Sequence, residues 1–259
     1  MAHEAAEQDG LYIYGIINNS GALDFGPIGI GGREERVYAV IHNDIAAVVS
    51  RTVVKEFEPR RANMIAHQKV LEAVMVSHAV LPVRFSTVSP GHDDMKVEKI
   101  LEEDYLRLKK LLVKMEGKKE MGLKVMANEE KVYESIITGY DNIRSLRDKL
   151  INLPPEKTHY QRVKIGELVA AALEKEVGTY KDAVLDALSP IAEEVKVNDS
   201  YGSMMVLNAA FLIRTAREEE FDRAVNALDD RYHDMMTFKY VGTLPPYNFV
   251  NISINIKGR

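Results

Sequence analysis

The chain has 259 residues, 46% of them hydrophobic, no cysteine and a formal net charge of -5. A chain of this size buries a substantial core, as one large domain or two small ones. The lack of cysteine excludes disulfides, zinc-thiolate sites and thiol nucleophiles, and the acidic balance, with Lys and Arg interspersed among Asp and Glu, argues against a nucleic-acid partner.

Residues 1–9 are polar and acidic and read as a frayed tail rather than a signal peptide. Residues 11–17, 37–41 and 45–50 are short, β-branched runs bounded by Gly, Asn, Asp and Ser, the pattern of strands, with His42-Asn43-Asp44 as a hairpin turn. After Pro59 a helix is predicted over 60–78, with Met64, Leu71, Val74 and Met75 as the stripe laid on the sheet. Residues 79–85 predict a further strand, and Pro82 gives it an edge position or marks its end. Residues 93–116 carry apolar positions at three-four spacing, Val97 to Met115, which predicts one amphipathic helix ended by Gly117 and bridging two domains.

Beyond it, a strand is predicted over 122–126, a helix over 129–150 interrupted by Pro154-Pro155, and a second long helix from His159 with Leu168, Ala172, Leu173, Val184 and Leu188 inward, the two forming an αα-hairpin. Strands at 195–198 and 204–214, a helix over 217–232 and a strand over 236–242 complete a βαββαβ order. A final alternation over 249–256 reads as another strand whose sheet is open. The predicted fold class is α+β with two domains: an N-terminal sheet-plus-helix domain (10–92), the bridging helix (93–117), a ferredoxin-like domain with an extended helical crossover (118–243), and a C-terminal tail (244–259). No apolar run approaches the ~20 residues of a bilayer crossing, so integral membrane insertion is not expected.

Chemistry-bearing motifs are few. Gly29-Ile30-Gly31-Gly32-Arg33 is followed by a strand, whereas a phosphate-cradling loop opens a helix, so it reads as a plain loop. His67 and His78 fall near one helix face but stand roughly 16 Å apart along the axis, too far to share a metal ion; each reads as an edge-of-core or capping histidine, with Arg84 or a backbone carbonyl as partner. Asp229 to Asp234 reads as a solvated helix end, and Glu218-Glu219-Glu220 as acids favoured at a helix N-terminus. No nucleophile elbow, phosphate-binding lysine motif, zinc-protease helix or nicotinamide fingerprint occurs, so no catalytic residue, metal or cofactor is expected.

Two segments combine apolar surface, proline and single polar handles and read either as core, with Val83 and Phe85 on one face of a strand and Pro245-Pro246 ending a strand and turning the chain, or as contact surfaces: Leu81-Pro82-Val83-Arg84-Phe85-Ser86-Thr87-Val88 and Gly242-Thr243-Leu244-Pro245-Pro246-Tyr247-Asn248-Phe249-Val250. With Leu11-Tyr12-Ile13-Tyr14-Gly15-Ile16 and Asp44-Ile45-Ala46-Ala47-Val48-Val49-Ser50, in that order along the chain, they make the sequence resemble the gas vesicle protein F/L family. Ser86 stands where that family usually has Gly, and Thr243-Leu244 where Pro-Trp is common. The resemblance implies a two-domain α+β build with the tail folding back on the first domain. It also implies a non-enzymatic accessory protein of gas vesicle assembly, cytoplasmic or on the vesicle, that binds the hydrophobic shell subunit and other accessory proteins as a chaperone, nucleation adaptor or minor shell component. Arg84, Phe85, Pro245, Pro246, Tyr247 and Phe249 are the expected partner-binding residues, by strand addition or by helix docking. The alternative is an α+β small-molecule-binding protein or enzyme, with a pocket around His67, His78 and Arg84.

Overall fold

A computed structural model describes residues 9–19, 21–33, 35–53, 56–151, 153–252 and 254. The chain divides into two compact units, one comprising the residues up to Glu120 together with those from Thr243 onward, the other Met121–Gly242.

The first unit is built on a sheet of β1 (Gly10–Asn18), β2 (Asp24–Gly26), β3 (Val37–His42), β4 (Ile45–Thr52), β5 (Val80–Pro82) and β6 (Val88–Pro90). The order is β2-β3-β4-β1-β5, with β6 also on β1. Asn43 turns the β3–β4 hairpin at φ 54°, a left-handed conformation that Asn tolerates better than most residues. A register shift between Ile13 and Gly15 against β4 makes Tyr14 the extra residue of a bulge. The bulge reverses the alternation: Tyr12, Tyr14 and Ile17 share one core, whereas Ile16 faces Ile100, Leu101 and Leu108. Gly15 is required here, because a Cβ would lie 2.8 Å from Val80 Cγ2 and 2.9 Å from the Leu81 carbonyl oxygen.

Helix α1 (Arg61–Met75) buries His67, Val70, Leu71 and Val74. The expected stripe is therefore turned: Leu71 and Val74 are inward, but Met64 is 50% exposed and its place is taken by His67 and Val70. An apolar-only count cannot admit a histidine to the core face, and so it tilts. The single helix expected over 93–116 is two, α2 (Asp94–Glu103) and α3 (Tyr105–Met115), broken at Asp104. The buried positions Leu101 and Leu108 are seven apart, which keeps helical phase across the break and hides it from periodicity. α2 lies on β3 and β4, α3 on β1 and β5.

The second unit carries β7 (Lys118–Ala127), α4 (Glu129–Gly139), α5 (Asp141–Leu150), α6 (His159–Leu188), β8 (Glu194–Val197), β9 (Met205–Arg214), α7 (Glu218–Tyr232) and β10 (Met236–Leu244). Its sheet runs β10-β7-β9-β8, the ferredoxin-like order for βαββαβ, with the crossover enlarged to three helices. The helix expected over 129–150 breaks at Tyr140, whose backbone is extended and whose hydroxyl donates to Glu176 on α6 at 2.9 Å. Ile136 and Ile143 are again seven apart, so this break too is silent in the pattern. Phe211, Phe221, Leu207, Val184 and Leu188 lie at the centre of the core. Of the strand expected over 249–256, only an isolated bridge at Ile252 forms; Ser253 and residues 255–256 lie outside the described residues, as do residues 1–8 of the expected frayed tail.

Candidate functional site

Strand β1 offers one edge to two strands in turn: Gly15–Ile17 pair with β5, and Gly10–Tyr12 with β6. Between them the chain detaches. Val83 N–H still donates to the Tyr14 carbonyl at 2.9 Å and Thr87 still accepts from Ile13 N–H at 2.9 Å, but Arg84-Phe85-Ser86 is pushed out as a short loop. The strand expected over 79–85 therefore ends at Pro82, and Phe85 leaves the sheet. Ser86 closes the loop at φ 65°, a left-handed conformation that costs a side-chain-bearing residue about 1 kcal/mol or more. Its own hydroxyl offsets that cost by accepting the Phe57 amide at 2.7 Å.

The loop stands on a buried polar cluster. Ser86 N–H donates to the Tyr12 hydroxyl at 3.0 Å, and that hydroxyl lies 2.9 Å from His67 Nδ1. Burial holds His67 down to about 4, so its ring is neutral near pH 7. A neutral ring that takes the Tyr12 proton at Nδ1 carries its own on Nε2, which is buried with no hydrogen-bond partner among the described residues. The ring is instead enclosed by aromatics: stacked on Tyr14, and edge-on to Tyr12 and Phe85, all with centroids 5.7 Å away. Tyr14 shares a 2.8 Å hydrogen bond with Ser50 and accepts the Ile30 amide at 2.7 Å. Burial pushes both phenols up, for Tyr12 against the opposing pull of the Ser86 amide. The cluster thus ties β1, β4, α1, the glycine loop and the Arg84 loop together.

The C-terminal segment meets the same edge. Val83 and Ile252 form a parallel bridge, extending the sheet beyond β5. After β10, Pro245 and Pro246 are buried, and the amides of Phe249 and Val250 both donate to the Pro246 carbonyl, at 3.1 and 2.9 Å. Asn248 gives its backbone N–H to Glu120 Oε2 at 2.9 Å and its side-chain amide to Oε1 at 2.6 Å, so a buried carboxylate holds the turn. Tyr247 is 43% exposed. Its phenol is raised, first by desolvation and then by the nearby Glu72 and Glu120.

The sequence-predicted residues therefore fall into two groups. Arg84 and Tyr247 are exposed; Phe85 and Phe249 are half-buried, and Pro245 and Pro246 serve as buried supports. Among the described residues the Arg84 guanidinium has no ion-pair or hydrogen-bond partner, so it does not bind His67 or His78. His67 bonds Tyr12 instead, and His78, beyond the end of α1, lies 2.8 Å from Ser77 Oγ through Nδ1. The glycine loop spends its Ile30 amide on Tyr14. Sequence reasoning missed the Tyr12–His67–Ser86 and Glu120–Asn248 links, whose partners are 55 to 128 residues apart. No local spacing encodes such pairs; the one usable signal was two tyrosines at alternate positions of a strand otherwise wholly apolar.

Among the described residues no group of three His, Cys, Asp or Glu could hold a metal ion, and no helix is long and apolar enough to cross a membrane. Three perturbed groups of the first unit, His67, Tyr12 and Tyr14, are engaged with one another in the core, while Arg84 and Tyr247, itself raised by desolvation, reach solvent. The fold is that of an α+β protein of two compact units.

Residues 10–251 match the family described as gas vesicle synthesis protein GvpL/GvpF, and the chain belongs to that family, whose members take part in gas vesicle formation. It is 30% identical to gas vesicle protein F of Streptomyces sp. (strain CB03234) over 240 residues, covering 92% of this chain and 98% of that one. The crystal structure of GvpF from Anabaena sp. PCC7120 superposes with a TM-score of 0.79 at 26% identity, covering 95% of this chain and 99% of the other. GvpF from Microcystis aeruginosa gives 0.74 at 26% identity, with 94% and 99% covered.

Proposed function

We propose that this chain serves gas vesicle assembly in the cytoplasm by contact, not catalysis: it binds the apolar shell subunit at the surface formed by the Arg84 loop and the Pro245–Phe249 turn, and releases it on incorporation. A shell monomer with exposed apolar surface and strand edges aggregates unless covered, and a soluble partner that caps it raises the fraction that assembles. The observation that supports this reading is the Val83–Ile252 bridge, which joins the Leu81–Val88 segment to the chain two residues beyond the Gly242–Val250 segment. Arg84 and Tyr247, residue types enriched among energetic anchors, stand exposed on a braced base. The bridge also makes the sheet edge a place where strand pairing already occurs with the chain's own tail, the geometry on which strand addition by a partner draws.

The test is light scattering during dilution of denatured shell subunit into buffer. An equimolar amount of this protein is expected to suppress aggregation and to co-elute with the subunit. Unchanged aggregation, with no complex at micromolar concentrations, would contradict the reading.

A further inference from the structure

The second unit carries a separate exposed surface. α6 is 30 residues long, yet from His159 to Ala171 it contains no buried side chain; the first is Ala172. Tyr160, at 76% exposure, and Val163, at 48%, lie three residues apart on one face of this stretch. At 100° per residue that face is roughly opposite the one that turns Ile165 and Val169 toward the core. Just before the helix, Ile151 and Leu153 are 69% and 48% exposed. Four large apolar side chains thus lie exposed or half exposed within thirteen residues where α5 gives way to α6.

The charge at the tip is as distinctive. Residues 142–166 hold six Lys or Arg and two Asp or Glu, a net of +4 in a chain of net -5. Arg144 is paired with Asp141 and Arg147 with Asp148. Arg162 only donates to Thr158, and Lys149, Lys157 and Lys164 make no ion pair among the described residues. Lys149, Lys157 and Lys164 are thus uncompensated close in sequence to the exposed apolar side chains, whereas Arg162 lies on the far side of the helix, tied to Thr158.

We propose that this tip docks an acidic amphipathic helix of a partner protein, its apolar stripe on Tyr160, Val163, Ile151 and Leu153, and its carboxylates on Lys149, Lys157 and Lys164. Apolar anchors with a rim of one sign are what helix-in-groove recognition requires, and the rim charge sets the orientation and the rate of encounter. A flat anionic membrane fits less well. Glu167 and Glu174 lie on the same helical face as Tyr160 and Val163, where a lipid surface would repel them, whereas a helix of limited length leaves them in water. The contact goes beyond the shell-binding reading, since it uses none of the residues of that surface.

The probe is a synthetic amphipathic helix of about 18 residues with Leu on one face and Glu on the other, followed by fluorescence anisotropy at low salt against the full chain. Binding is expected, weakened about tenfold or more by Tyr160→Glu with Val163→Glu and by Lys157→Glu with Lys164→Glu. It should weaken with rising salt and be unchanged by Arg84→Ala and Tyr247→Ala. All these positions are exposed, so melting temperatures should hold. No binding, or binding indifferent to the tip variants, would overturn the proposal. So would concentration-dependent dimerisation abolished by Tyr160→Glu, which would give the surface to a second copy, or tighter binding to phosphatidylglycerol vesicles than to the peptide, which would give it to a membrane.

Discussion

Asn248 is held by Glu120 at both ends of one carboxylate, its backbone N–H on Oε2 and its side-chain amide on Oε1. The two are 128 residues apart, and the pair pins the Pro245–Phe249 turn to the first unit. Removing the carboxylate leaves two donors without this acceptor in a buried place. Glu120→Ala is expected to cost about 2–3 kcal/mol and to expose the tail to proteases ahead of global unfolding, and Glu120→Gln about half as much, because one acceptor oxygen remains. Thermal melts and timed proteolysis check this. A Glu120→Ala protein with wild-type melting temperature and a protected tail would show that the prolines alone hold the turn.

Ser86 tests how the Arg84 loop is shaped. Glycine relieves the left-handed backbone by about 1 kcal/mol and forfeits the Phe57 amide bond, worth about the same, so Ser86→Gly should be nearly neutral. Alanine keeps the strain and loses the bond, so Ser86→Ala should be less stable by about 1 kcal/mol. Denaturant melts would reveal the ranking; alanine equal to wild type would mean that the hydroxyl contributes nothing.

Acid should loosen the same loop through His67. Its folded value, about 4, lies below the ordinary 6.5, so the unfolded chain takes the proton first. The stabilisation is complete above pH 6.5 and is lost as pH falls toward 4, amounting to about 3 kcal/mol at most at 1.36 kcal/mol per unit. His67→Gln keeps a hydrogen-bonding group near Tyr12 and removes the titration, so its stability should fall less steeply over that window. Parallel slopes for the two proteins would mean that the imidazole is solvated before the fold is lost.

Much of the fold was legible because hydrophobic period is a local property. Val37–His42, Ile45–Thr52, Met205–Arg214 and Glu218–Tyr232 lie within two residues of where alternation and three-four spacing put them. β2 and β6, three residues each, are too short to show a period, and the breaks at Asp104 and Tyr140 fall between apolar positions that stay in phase. The partner-binding candidates were legible as composition, but their base was not: Tyr12, His67 and Ser86 meet only because the bulge at Tyr14 and the end of β5 at Pro82 bring them together.

The most direct test is to measure, on the same Arg84→Ala and Tyr247→Ala proteins, both the melting temperature and the affinity for the purified shell subunit. Loss of an anchor typically costs about 2 kcal/mol, close to thirtyfold in affinity, and both side chains are exposed enough for the fold to survive their removal. The account predicts melting temperatures near wild type and binding weakened by about that factor. Folded variants that bind the shell subunit at wild-type affinity would contradict it.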